Sequence, residues 1–298
     1  MSLYISTLRS NITSQTTTMN TILVPTDFST TAKNAALYAL KLAEQLGVKK
    51  LVLYHSYEIP ITIDPLVPGI QMLDMESLQE GSAKGLENFK LQIQQFAGNI
   101  TIDKVSEYGS LREGLDEVCK KVGAALVVMG ITGGVLLEEK LIGSNTISVA
   151  KHSKIPVIIV PANAHFTWIE EIMLTSDFDK ADTTIPVEAV RKIVTETKAK
   201  LLVLNVEAGS DEESNMTPSA IMGESFAMHT LLEDLNPEYH FSHNKNYVEA
   251  INEFAFENKI DLIITVPKKH GFFESLFSAS HTKMLAFHSH LPLMVIHE

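Results

Sequence analysis

The chain has 298 residues, 45% of them apolar and 20% charged, and carries a formal net charge of −12. That length suits two domains of ordinary size, each able to bury a core, and the acidic balance argues against a broad nucleic-acid surface, which needs Lys and Arg to neutralise phosphates. The single cysteine, Cys119, leaves no intrachain disulfide and no cysteine metal cluster, which fits a reducing, cytoplasmic setting, and no uninterrupted apolar run reaches the roughly 18 residues of a membrane span.

Residues 1–18 are rich in Ser and Thr and lack the apolar core of a signal peptide. They are expected to be a disordered or non-native leader, with the folded part opening near Met19. Ile22-Leu23-Val24-Pro25 reads as a first strand that runs into Thr26-Asp27-Phe28-Ser29. Ser29 can cap the helix that follows, because its hydroxyl accepts from free backbone N–H groups. Ala32, Ala36, Ala39, Leu40 and Ala43 form that helix's apolar stripe, and Gly47 ends it. Leu51-Val52-Leu53-Tyr54 is a second strand. A loop holding Pro60, Pro65, Pro68 and Gly69 follows, then a helix with Leu86, Phe89, Ile93 and Phe96 on one side. Ile100 to Val105 is a third strand, Leu111, Leu115 and Val118 mark a helix, and Ala125 to Met129 is a fourth strand. A glycine loop, a helix from about Ser144 and the strand Val157 to Val160 complete the first unit. Aliphatic strands alternating with helices imply an open parallel sheet covered on both faces, a Rossmann-like α/β fold.

The pattern then begins again. Ile172 to Phe178 repeats Ile22 to Phe28, and Leu201 to Asn205 repeats Leu51 to His55, both at an offset of 150. Leu262 to Thr265 matches Leu126 to Met129 at an offset of 136, so the first copy carries extra residues between its second and third strands. The repeat predicts two tandem five-stranded domains, residues 19–162 and 168–298.

Ligands of such sheets bind beyond the carboxyl ends of the strands where strand order reverses. Two segments end there with suitable chemistry. In Pro25-Thr26-Asp27, the carboxylate can accept from ribose hydroxyls or a base, or it can cap the next helix; position alone does not separate these readings. The second segment is Met129-Gly130-Ile131-Thr132-Gly133, followed after nine residues by Gly143-Ser144. Glycines let backbone approach a ligand closely. A helix opening at Ser144 would point free N–H groups at an anion, with the hydroxyls of Ser144 and Thr146 as further donors. A plain glycine-containing loop is the alternative.

The run Gly-x2-Gly-x9-Gly-Ser after strand four, together with Val-Pro-Thr-Asp after strand one, resembles the ATP-binding form of the universal stress protein family. The resemblance covers both copies, from about residue 20 onward. It implies that Pro25, Thr26, Asp27 and Ser56 hold the adenosine, and that Met129, Gly130, Gly133, Gly143, Ser144, Asn145 and Thr146 hold the phosphates. It implies ATP as the ligand, with ADP or AMP sharing the adenosine contacts, and Mg2+ as an optional companion of the nucleotide. It also implies edge-to-edge pairing of the fifth strands, here Val157–Val160 with Leu293–Ile296 inside one chain, and a homodimer as a further option. Pairing would also cover two exposed apolar edges. The second copy departs from the pattern. Asp177 stands opposite Asp27, but Val266, Lys269 and Ala279 replace Gly130, Gly133 and Gly143, and only Ser280 persists. Side chains there would obstruct close approach, so nucleotide is expected in the first domain only.

Other features carry weaker readings. His270, His281, His288, His290 and His297 suggest zinc, but their spacing matches no zinc motif. Lys268 and Lys269 could attract an anion, and Lys140 could reach a phosphate. There is no Gly-x-Ser-x-Gly elbow and no Walker lysine, so no catalytic residue is assigned. The reading is an ATP-binding stress or regulatory protein. The rivals are a slow ATP hydrolase and a scaffold with idle pockets, with a metal or anion site in its second domain.

Overall fold

The computed structural model describes residues 19–59, 75–131, 144–176, 186–207, 230–244, 247–266 and 291–297. The leader, Gly133, Lys140, Gly143, Asp177, Lys268, Lys269, Ala279, Ser280 and the histidines at 270, 281, 288 and 290 lie outside those residues.

Aliphatic runs form the strands and amphipathic runs the helices, in alternation. The first half contains β1 (Thr21–Pro25), α1 (Thr30–Leu46), β2 (Lys50–Tyr57), α2 (Met75–Ile93), β3 (Thr101–Tyr108), α3 (Leu111–Val122), β4 (Leu126–Ile131), α4 (Ser144–His152) and β5 (Val157–Pro161). The second half contains β6 (Glu171–Ser176), α5 (Val187–Thr197), β7 (Lys200–Glu207), β8 (Glu238–His243), α6 (Tyr247–Glu257), β9 (Leu262–Thr265) and β10 (Leu293–Val295). Helix α1 begins and ends as its sequence directs. The Ser29 hydroxyl accepts from the Ala32 N–H at 3.1 Å, and Gly47 takes the left-handed conformation (φ 69°) that lets its N–H reach the last turn's carbonyls.

The strands make one ten-stranded sheet in the order β3-β2-β1-β4-β5-β10-β9-β6-β7-β8. Each half repeats the order third, second, first, fourth, fifth. Pairing is parallel throughout except at the seam, where β10 runs antiparallel to β5 with Leu293 opposite Ile159, Met294 opposite Ile158 and Val295 opposite Val157. The two five-stranded sheets expected from the repeat are thus halves of a single sheet, joined by the strands expected to pair.

Successive residues of a strand point to opposite faces, so the seam feeds two cores at once. Ile158 and Met294 join the core beneath α1, α2 and α5. Val157, Ile159, Leu293 and Val295 join the core beneath α3, α4 and α6. Both cores run across the seam into both halves. Because β5 and β10 are antiparallel, the carboxyl ends of the two halves' strands emerge at opposite edges of the sheet.

Polar side chains fasten the crossover between the halves. Asn34 of α1 donates to the carbonyls of Pro161 (3.2 Å) and Ala164 (2.9 Å). Gln45 donates to the Ile169 carbonyl at 2.9 Å and accepts from the Ile169 N–H at 3.0 Å. The Asp261 carboxylate accepts from the N–H groups of Glu170 (2.8 Å) and Glu171 (3.0 Å). His297 Nε2 lies 2.5 Å from the Ala150 carbonyl and can donate to it, tying the end of the second half to α4 of the first.

Ile169 is buried, so removing its partner strands two polar backbone groups. Gln45→Ala is expected to lower the unfolding free energy by about 1–3 kcal/mol. The check is a urea melt whose midpoint falls while its slope is unchanged.

Candidate functional site

In the first half β1 pairs with β2 on one side and with β4 on the other. Chain order therefore reverses around β1, and a crevice must open where the connections diverge. A cavity of about 310 Å3 occupies this place. Pro25, Thr26, Asp27, Ser56, Met129, Gly130, Asn145 and Thr146 all line it. Segments separated by about a hundred residues thus converge on one crevice. Of the remaining expected residues, Ser144 opens α4, while Gly133 and Gly143 lie outside the described residues.

The turn after β1 is built by its own side chains. The Thr26 N–H donates to the Tyr54 carbonyl of β2 at 2.8 Å, and the Thr26 hydroxyl accepts from the Phe28 N–H at 2.9 Å. Asp27 Oδ1 accepts from the Ser29 N–H at 3.0 Å. Ser29, not Asp27, caps α1, which decides between the two readings of that carboxylate as far as the cap is concerned. Asp27 shapes the turn with one oxygen and stands exposed at the cavity rim.

Phe28 has a positive φ of 66°, a conformation that costs a non-glycine residue of order 1–3 kcal/mol. Packing on three sides holds it there. Its ring lies 4.5 Å from that of His55 and 6.1 Å from that of Phe89, and a Cβ on Gly85 of α2 would come within 2.7 Å of it. Gly85 makes room for the ring, and the ring pins the turn that presents Asp27.

Gly130 has a second reason to be glycine. A Cβ there would sit 2.6 Å from the Thr31 carbonyl oxygen and 2.8 Å from its methyl carbon. The residue therefore lets the first turn of α1 close onto β4, apart from any ligand. The Thr146 hydroxyl, expected as a phosphate donor, donates instead to the Gly130 carbonyl at 2.8 Å and is buried. It anchors the start of α4 against the end of β4, at the crevice that Asn145 and Thr146 line. Asn145, in the first turn of α4, is exposed at the rim.

Sequence reasoning passed over His55, next to Ser56 at the end of β2, and it lines the cavity. Its Nδ1 lies 2.7 Å from the Ser82 hydroxyl of α2, which lies 2.6 Å from the Ser106 hydroxyl of β3. Burial holds this imidazole's pKa below its ordinary value, with Asp27 pulling the other way. The signal available was the register: His55 and Ser56 extend the strand beyond the hydrophobic run, where ligand-facing residues sit. Tyr54 and Leu111 also line the cavity.

In the second half, Asn205 of β7 stands where His55 stands in β2, and it is buried. Val266 follows β9 at the place of Gly130. Among the described residues no group of three or more His, Cys, Asp or Glu is arranged to hold a metal ion, and no helix is long and apolar enough to cross a membrane.

A family model described as the universal stress protein family matches residues 19–161. Universal stress protein MJ0531 of Methanocaldococcus jannaschii is 28% identical over 143 residues, covering 47% of this chain and 80% of that protein. Universal stress protein MJ0577 of the same organism is 26% identical over 153 residues, covering 47% of this chain and 93% of that protein. A solved universal stress protein from Archaeoglobus fulgidus matches with a TM-score of 0.66 at 18% identity, covering 95% of this chain and 97% of that one. That last likeness extends the shared fold over both halves.

The contact of Gly130 with Thr31 makes a stability prediction that needs no ligand. Gly130→Ala forces α1 and β4 apart and is expected to cost about 1–3 kcal/mol. Thermal unfolding of the ligand-free protein checks it, and an unchanged midpoint would mean that the helix yields freely.

Proposed function

We infer a nucleotide-binding role from the premise that this chain belongs, by residues 19–161, to the universal stress protein family. The observation that carries the inference is the two-sided chemistry of the crevice. At one end, Asp27 offers a carboxylate oxygen beside the Ser56 and His55 wall, suited to ribose hydroxyls and a base edge. At the other, the N-terminus of α4 offers backbone donors and the positive end of a helix dipole, suited to phosphates. One adenine nucleotide spans both ends. ATP is the proposed ligand over ADP and AMP because the run from Gly130 to Ser144 supplies enough chain to enclose several phosphates, with Mg2+ accompanying them if bound. Thr26 and Pro25 shape the adenosine end, while Met129, Gly130, Asn145 and Thr146 shape the phosphate end.

The nucleotide is assigned to residues 19–162 alone. Val266 at the place of Gly130 supports this, because a branched side chain there fills the space that glycine leaves. Residues 168–298 then serve as a partner domain that covers the β5 edge. The biological role that follows is stress response or regulation in the cytoplasm, with nucleotide occupancy as the regulated state and a homodimer as a further level of assembly.

Calorimetric titration of ATP into nucleotide-stripped protein tests the reading. One ATP per chain is expected. Asp27→Ala is expected to weaken it by roughly 10- to 100-fold, the worth of a hydrogen bond to a charged group, whereas Lys269→Ala in the second half leaves affinity unchanged. Failure of the unsubstituted protein to bind would favour the scaffold reading, and two ATP per chain would show that the second half also holds one.

A further inference from the structure

The His55–Ser82–Ser106 chain touches the crevice at one end. Three elements contribute to it: β2 supplies the imidazole, α2 the first hydroxyl and β3 the second. Ser82 is 4% exposed, so its hydroxyl has little access to water and is held between its two partners. A serine so placed fixes the plane of the imidazole and occupies Nδ1. The other ring nitrogen, Nε2, makes no hydrogen bond among the described residues, and the ring lines the crevice.

We propose that His55 is a contact residue of the nucleotide crevice that must be neutral for the ligand to seat, so that binding is gated by protonation of this imidazole. The proposal rests on the nucleotide-binding reading above and deepens it.

The direction follows from what surrounds the ring. Phe28 covers one side at 4.5 Å, and Tyr57 lies 6.4 Å away in a stacked arrangement. From α2 the Ser82 hydroxyl meets the ring, with the Ser106 hydroxyl of β3 behind it. The charged residues flanking Ser106 are engaged elsewhere: Lys104 pairs with Glu87, and Glu107 with Lys121 at 2.9 Å. From the turn after β1 comes Asp27, the charge that among the described residues acts to favour the imidazolium, and burial already outweighs it. A nucleoside seated on this wall removes more water from the ring. It also engages Asp27 in hydrogen bonds to the sugar, which weakens the counter-charge. Both changes disfavour the imidazolium further, while the phosphates, assigned above to the α4 end of the crevice beyond β4, pull the other way from two strands' distance. Affinity is therefore highest and level above the ordinary imidazole pKa of about 6.5, and falls as the pH drops through the lower pKa that burial gives this ring.

In the second half Asn205 occupies the matching place, so the fold accepts a non-titrating amide of similar reach. His55→Asn is the test variant. ATP is titrated into stripped wild-type protein and into the variant between about pH 8 and about pH 5.5. The terminal phosphate titrates in the same range, and the variant carries that contribution unchanged, so the readout is the difference between the two profiles. The wild type is expected to lose more affinity than His55→Asn toward the acid end, by up to roughly tenfold, the ceiling for an imidazole that titrates no higher than its ordinary value. A second measurement on the wild type follows the His55 ring protons by NMR with and without ATP, where the imidazole pKa is expected to fall on binding. Parallel pH profiles, an imidazole pKa that ATP does not move, or affinity that rises toward acid pH in the wild type alone would each overturn the proposal while leaving nucleotide binding intact. Absence of ATP binding at every pH would overturn both.

Discussion

The antiparallel pairing of β5 with β10 is the contact on which both halves depend. A five-stranded parallel sheet with strand order third, second, first, fourth, fifth leaves its fifth strand at an edge. Here that strand is Val157–Pro161, buried along its whole length. Alone, it would expose a row of peptide groups flanked by aliphatic side chains, a template for uncontrolled pairing. The second half supplies an equally apolar strand, Leu293–Val295, and the two edges close each other. Because side chains alternate across the strand, one short ladder also knits both cores. Asn34, Gln45, Asp261 and His297 then fix the crossover and the chain's end by hydrogen bonds to backbone. These partners could not be apolar, since the carbonyls and N–H groups they satisfy lie in the crossover and at the ends of helices and strands, where regular backbone pairing stops.

The crevice inherits its shape from this frame. Strand β4 is held between β1 and the seam strand β5, so Gly130 has a fixed place, and α1 can approach it only as closely as Thr31 allows. On the other flank, Phe28 wedges between His55 and Gly85 and sets the turn that carries Asp27. The site is thus bounded by one contact that needs a missing side chain and one that needs a large one. A positive φ at Phe28 is tolerable because the ring's packing on Phe89 and His55 offsets a backbone cost of order 1–3 kcal/mol.

The halves share a topology but not a crevice chemistry. His55 faces the crevice where Asn205 lies buried, and Gly130 leaves room where Val266 follows β9. Gene-level repetition fixes strand order because each half must bury the same kind of sheet. It does not constrain the carboxyl edges of the strands, which point in opposite directions in the two halves.

The sequence by itself determined the alternation of strand and helix, the repeat, and the segments that end at the ligand edge. Each of these is local: aliphatic runs, helical stripes, a Ser cap and a Gly stop are readable from neighbours in the chain. It also brought forward Asp27 and Gly130 from their places at the carboxyl ends of strands, and Ser56 and Asn145 through the family resemblance. Only the tertiary structure decided what those residues do to one another. That the Thr146 hydroxyl is spent on the Gly130 carbonyl and that Gly130 is required by Thr31 are facts about atoms far apart in sequence. His55 escaped notice for the same reason: a lone histidine at a strand's end carries no signal until α2 and β3 bring Ser82 and Ser106 to it, because a hydrogen-bonded chain across three elements exists only once they are packed.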